Sequence, residues 1–473
     1  MTNAANCDDR DVRTLGVTVM PEWFACEGVD EVLDRLAALG VGALATSPYV
    51  LEPAPEGEGG REPPIDAGAG GVRPLDRALY GRHALWVRTA PSFVHDTARY
   101  AGLRYQPSLP SPLTLRDEAV LDRVIAGAHA RGIEVLLQVM AASPPGYRVQ
   151  FSAATDDDQC LGPDGRPHAD RVDRNASFAS PHIRDYVATL VGELAQRYPG
   201  VAGFRLDWPE YPPYDLRSAL FDFHPRVGAL MRGAGHDPEA IAGEARRWLA
   251  DVRAEVAETS PQGARAVLDV LEGARWNALW DPSGPLAPLF AAKREAVLEL
   301  LRQVRAALDA QPGPRRRLEL QAFPPPFQRI SGFPLGALGG VADAVGIKLY
   351  TMHWPMIARV WAAGLAGTDG AGLDAAAAAL ALHFGFTDDL ADGGRLRYPE
   401  PHEPHPVSLA RQRDKLDGAR AASDVPVIGF CHAYGPLGDV VQRFGVVRPG
   451  RAWINRYGYL SDAKLAALRA AVT

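Results

Sequence analysis

The feature that most constrains this chain is an alternation. Short apolar segments rich in β-branched residues recur along it, and most lead through a turn into a run with helical periodicity. Such alternation is expected of βα units feeding a parallel sheet, because two parallel strands need a crossover connection and that crossover is usually a helix. Eight strands are predicted, over residues 15–20, 42–47, 133–139, 201–206, 318–323, 344–350, 426–431 and 452–456. The clearest unit is the fourth. Ser180 stands as N-cap with Pro181 at the first helical position, and Ile183, Val187, Leu190, Val191 and Leu194 fall on one face before the strand begins. Residues 461–472 predict a closing helix. Eight strands separated by helices predict an α/β chain folded as one closed (β/α)8 barrel over residues 1–473.

Three stretches break the alternation, and they fall mainly after strands, where barrel enzymes carry the loops that build their sites. Residues 48–112 form a loop insertion whose portion 52–74, rich in Gly, Pro and acidic residues, is expected at the surface. Residues 216–311 are a helical insertion between strands 4 and 5, and residues 364–424 mix loop and helix. With 473 residues, 47% of them hydrophobic, the chain has ample material for a large core.

A formal charge of −7 gives no electrostatic footprint for nucleic acid or an anionic membrane, so a small neutral substrate is expected. No GxGxxG or GxxxxGK[ST] run is present, which leaves nucleotide cofactors without support. Cys7, Cys26, Cys160 and Cys431 are scattered and are expected to be reduced thiols, with neither a metal spacing nor a disulfide framework. His402, Glu403 and His405 come closest to a metal cluster, but prolines extend their loop and no further ligand lies nearby in sequence, so no metal is expected. Residues 1–13 lack the basic flank and apolar stretch of a signal peptide, and no apolar run approaches the roughly 18 residues of a membrane span. A soluble, cytoplasmic protein is the expectation. Nothing in the sequence speaks to oligomeric state.

The chemistry concentrates at the end of strand 4, in Gly203-Phe204-Arg205-Leu206-Asp207-Trp208-Pro209-Glu210-Tyr211. Side chains alternate along a strand, so Arg205 and Asp207 point to the same side, and in a barrel that side can be the interior with Asp207 at the rim. An arginine two residues before a carboxylate is expected to keep it ionised and oriented, as a nucleophilic or cation-stabilising carboxylate requires.

This segment resembles the α-amylase-like and related glycosyl-hydrolase-like TIM barrels, whose fourth strand carries a similar G-[FI]-[RH]-x-D signature. The run Ala128-His129-Ala130-Arg131-Gly132-Ile133-Glu134-Val135 is similar to their entry into strand 3, so the resemblance covers the first half of the barrel. It implies that Asp207 matches the catalytic carboxylate. The α-amylase pattern continues strand 3 into Asp-x-x-x-Asn-His, whereas this chain reads Gln138-Val139-Met140-Ala141-Ala142, so α-glucan specificity does not carry over. The aromatic, proline-rich loop after Asp207 is closer to uncharacterised and peptidoglycan-related glycosyl-hydrolase-like barrels. What the resemblance implies is a glycoside hydrolase acting on a small saccharide or glycoconjugate through a carboxylate pair, without naming the sugar.

Such a reaction needs a second carboxyl group to protonate the leaving oxygen. Glu210 is the nearest candidate in sequence, and Glu319 lies in strand 5, where the resemblance places the acid. Glu22 after strand 1 and Glu52 after strand 2 also fall at the rim. Sugar rings stack on aromatic faces, so Trp23, Trp208, Tyr350 and Trp354 at strand ends suggest a carbohydrate cleft. His353 and His432 are each placed to bond a hydroxyl or act as acid or base, and Arg456, with Tyr457, is placed to close the pocket floor. Cys431 beside His432 is discounted as a nucleophile pair, since neighbours on an extended chain point apart. The alternatives are a TIM-barrel lyase or isomerase using His353 or His432 as base, and a non-catalytic carbohydrate-binding barrel.

Overall fold

The computed structural model describes residues 15–63, 70–153, 155–167, 175–390 and 392–472; the expectations for the N-terminal stretch and Cys7 lie outside them. Eight parallel strands close into a barrel: β1 (Leu15–Thr18), β2 (Val41–Thr46), β3 (Glu134–Met140), β4 (Gly203–Asp207), β5 (Arg317–Ala322), β6 (Ala344–Leu349), β7 (Val427–His432) and β8 (Ala452–Asn455). The ring closes where β8 meets β1, with Leu15 opposite Ala452. Every predicted strand is present, with ends displaced by at most two residues. The fourth runs later than its apolar pattern suggests because Asp207 still pairs, opposite Met140. Its preceding helix, Pro181–Arg197, is capped as expected, Ser180 Oγ accepting from the Ile183 N–H at 3.5 Å.

The barrel interior is organised around a buried cation. Arg205 is fully enclosed, and its guanidinium lies 3.7 Å from the centre of the Trp453 ring and 4.9 Å from that of Phe430. Those two rings lie nearly parallel, 5.7 Å apart at 17°. Gly16 and Gly346 make the space: a Cβ on Gly16 would meet the Trp453 ring at 2.0 Å, and one on Gly346 would meet Phe430 at 2.2 Å. Glu319 from β5 meets the charge at 2.8 Å. This polar layer fills the barrel below its C-terminal mouth.

Residues 48–112 are more ordered than a plain surface loop. They hold a three-stranded antiparallel sheet in which Trp86–Pro91 lies between Tyr49–Pro53 and Gly60–Arg61. The acidic stretch from residue 52 is therefore pinned at Gly60–Arg61, which carries Glu62 to the barrel mouth. Within residues 216–311, the long helices Pro238–Thr259 and Ala287–Asp309 dominate, the second leading into β5. Among the described residues, no helix is long and apolar enough to cross a membrane.

Candidate active site

At the C-terminal end of the strands lies a pocket of about 820 Å³, counting its open mouth. The barrel contributes Gln138, Asp207, Lys348 and His432, with Tyr350 and Arg456 just beyond β6 and β8; Glu62, Trp208, Tyr214, His353, Tyr398 and Tyr459 arrive on the segments that connect the strands and follow the last.

Asp207 stands at the rim as the alternation requires. Its Oδ2 accepts a hydrogen bond from Gln138 Nε2 at 3.1 Å. Its Oδ1 is buried without a hydrogen bond and faces Lys348 Nζ at 3.7 Å. The same ammonium lies 3.8 Å from Glu210 Oε1, and it sits over the rings of Phe323 and Trp208 at 4.6 and 4.8 Å. The expectation that Arg205 orients Asp207 is corrected. Two residues along a strand span roughly 6.6 Å, so Arg205 lies a layer below, where its hydrogen bond goes to Glu319.

Neither expected proton donor reaches the pocket. Glu210 is wholly buried, its Oε1 accepting from the Phe323 N–H at 2.6 Å and its Oε2 from Ser331 Oγ at 2.8 Å. It braces the β4 loop against the segment after β5. Burial pushes its carboxyl up to about 7, against the opposing pull of Lys348 and these two donors. Glu319 is bonded to Arg205 and lies 3.4 Å from Arg451 Nη2, so it is a partner of the interior cation, not a rim group.

The aromatic and histidine expectations divide. Trp208, held at φ +56, lines the pocket and stacks on Tyr214 with ring centres 5.4 Å apart. Tyr350 lines it too, edge-on to His432 at 5.3 Å, and burial raises its phenol pKa. His353 Nδ1 lies 2.8 Å from the Tyr214 hydroxyl, and burial lowers this histidine to about 4. His432 accepts the Tyr434 N–H on Nδ1 at 3.0 Å, and burial, with Arg456 nearby, depresses its pKa well below the usual range. Both imidazoles are therefore neutral at pH 7. Trp23 and Trp354 are not among the residues lining this pocket: Trp23 packs on Tyr457 at 5.8 Å, and Trp354 stacks on Phe386 at 5.2 Å. Both indoles are buried, in the helices Pro21–Glu27 and His353–Ala366 that follow β1 and β6. Glu22 is likewise taken, accepting from Tyr49 Oη at 2.7 Å and Arg148 Nη1 at 2.9 Å. Glu52 lies in the small sheet, in register with Arg88. His405 Nδ1 lies 2.7 Å from Thr351 Oγ1, and Glu403 pairs with Arg397. The Cys431 thiol is pushed up to about 12 by burial.

The sequence reading missed Lys348, Gln138 and Glu62. The first two were findable: each is a polar residue at an inward position of an apolar strand, the logic that picked out Asp207. Glu62 has no such signal, since its segment reads as an acidic loop. It is bonded to Arg148, to Gln150 Nε2 at 2.8 Å and to Arg456 Nη1 at 3.1 Å. Burial would raise its pKa, but Arg456 and Arg148 outweigh burial and hold it below the usual carboxylate range. Among the described residues, Asp207 and Glu62 are the two carboxylates that line the pocket.

Neither a protein-family model nor a curated protein matches the sequence. Solved structures that align with it include a β-galactosidase from the psychrophilic Marinomonas ef1 (13% identity, TM-score 0.44, 97% of this chain and 59% of that one). Others are α-L-fucosidase isoenzyme 2 from Paenibacillus thiaminolyticus (11%, 0.47, 97% and 48%) and the catalytic domain of a β-amylase from Paenibacillus polymyxa (9%, 0.46, 97% of each). The chain spans less than two thirds of the length of the first two.

Proposed function

We propose that this chain is a glycoside hydrolase acting on a small saccharide or glycoconjugate, with Asp207 as the carboxylate that attacks or stabilises the anomeric cation. The observation that carries the reading is Asp207 itself: a carboxylate at the C-terminal end of a barrel strand, held by Gln138 on one oxygen and faced by Lys348 on the other, opening into a pocket walled by Trp208, Tyr214 and Tyr350. That position is where barrel enzymes place their chemistry, and aromatic walls suit the C–H faces of sugars. The paired carboxylate is Glu62 in place of Glu210 or Glu319. Held ionised by Arg148 and Arg456, it suits a base that activates water better than an acid that protonates a leaving oxygen.

A consequence follows for the leaving group. With no carboxylic acid poised in the described pocket, departure depends on the stability of the leaving anion. A series of aryl glycosides should be hydrolysed faster as the phenol becomes more acidic, with a steep dependence. Equal rates for nitrophenyl and simple alkyl glycosides would contradict this division of roles.

A further inference from the structure

One half of the pocket presents donors almost exclusively. His432 is more than nine-tenths buried and accepts the Tyr434 N–H on Nδ1, so in its neutral form the proton sits on Nε2, and no group among the described residues takes it up. Tyr398 and Tyr459 line the same pocket, their hydroxyls without a partner among the described residues, and burial raises both phenols, so they stay protonated and able to donate. Arg456 completes the group. Its side chain is 20% exposed and lines the pocket, and its one partner is Glu62, on Nη1, so that among the described residues Nε and Nη2 have no hydrogen-bond partner. Arg456 also holds φ +76, a left-handed conformation that is strained for a non-glycine residue and is typically kept at ligand-binding positions. The residue so held brings a planar, multi-donor guanidinium to the pocket lining.

Opposing charges are present. Glu62 shares Arg456, but it is also bonded to Arg148 and Gln150; Asp207 faces Lys348, and Glu22 is bonded to Arg148 and Tyr49. Each local carboxylate thus has a partner besides Arg456, whose remaining N–H groups have none among the described residues. A neutral sugar offers hydroxyls that both donate and accept, and it would leave this donor set under-satisfied. An oxyanion accepts on every lone pair, and a carboxylate matches the guanidinium fork in a bidentate pair.

We propose that the pocket is specific for an acidic sugar, and that Arg456, with His432 Nε2, Tyr398 and Tyr459, forms the subsite for the carboxylate of a uronic acid. This deepens the hydrolase reading by naming its substrate class, and it replaces the neutral substrate expected from overall charge. Binding is separable from turnover, so the two stand or fall apart.

The test is calorimetric titration of the full chain with D-glucuronate and D-galacturonate against D-glucose and D-galactose. A uronate should bind at least about tenfold more tightly than its neutral counterpart. Arg456→Gln should abolish the preference, and Arg456→Lys should keep part of it. If Arg456→Gln does not fold, as judged by circular dichroism, His432→Phe should weaken uronate binding while sparing the neutral sugar. Equal affinity for acidic and neutral sugars, binding of neither uronate, or a preference that survives Arg456→Gln would overturn the proposal. Hydrolysis of neutral glycosides in that event would leave the enzymatic reading standing. Glucose 6-sulfate bound more tightly than either uronate would replace the carboxylate with a bulkier oxyanion and overturn the named class.

Discussion

Lys348 Nζ stands 3.7 Å from Asp207 Oδ1, and neither atom has a hydrogen-bond partner. The ammonium is enclosed by Trp208 and Phe323 and also faces Glu210, so a single cation serves two carboxyl groups that would otherwise lack a counter-charge. Lys348→Met should therefore cost about 3–5 kcal/mol of stability at pH 8, because it strands buried charge. The loss should shrink at pH 5, where Glu210 takes up a proton. Urea unfolding of both proteins at the two pH values measures it; an equal loss at both would mean that Lys348 acts by packing alone.

Glu210 makes its own pH signature. Its folded pKa, about 7, is raised above the ordinary 4.5, so the folded state binds more protons than the unfolded one between these values. Its contribution is fully present below pH 4.5 and is lost as pH rises through 7, worth about 3 kcal/mol in all. Glu210→Gln should flatten the decline in stability between pH 5 and 8. A wild-type curve that rises across this window through a Glu210-dependent step would reverse the sign and refute the assignment.

Glu319 answers for Arg205 rather than for substrate. Glu319→Gln leaves a wholly enclosed guanidinium without its counter-charge, and should cost about 3–5 kcal/mol. The folded fraction should keep its affinity for sugar, since Glu319 does not line the pocket. A variant with unchanged melting temperature and a turnover reduced by orders of magnitude would instead make Glu319 the proton donor.

Much of the architecture was legible in the sequence. Period and capping located all eight strands and the Ser180-capped helix, because these depend on local patterning that burial enforces. Asp207 was legible for the same reason, as a charged residue at the end of an apolar strand. The roles of its neighbours were not. Proximity in sequence suggested that Arg205 and Glu210 serve Asp207, but a strand separates Arg205 by a layer, and the loop after β4 turns Glu210 onto Phe323 and Ser331. The place of Trp23 and Trp354 after strands suggests sugar platforms; each instead lies in the first turn of a helix and is buried. Glu62 was invisible because its position depends on the pairing of Gly60–Arg61 with Trp86–Pro91, a long-range contact without a local pattern.

The most direct measurement is turnover of a panel of aryl α- and β-glycosides, uronides included, by the wild type and by Asp207→Asn, with folding verified by circular dichroism. The account predicts that the wild type cleaves at least one member and that the folded variant loses roughly a thousandfold or more of that rate. A folded Asp207→Asn that cleaves the same glycoside undiminished would contradict it.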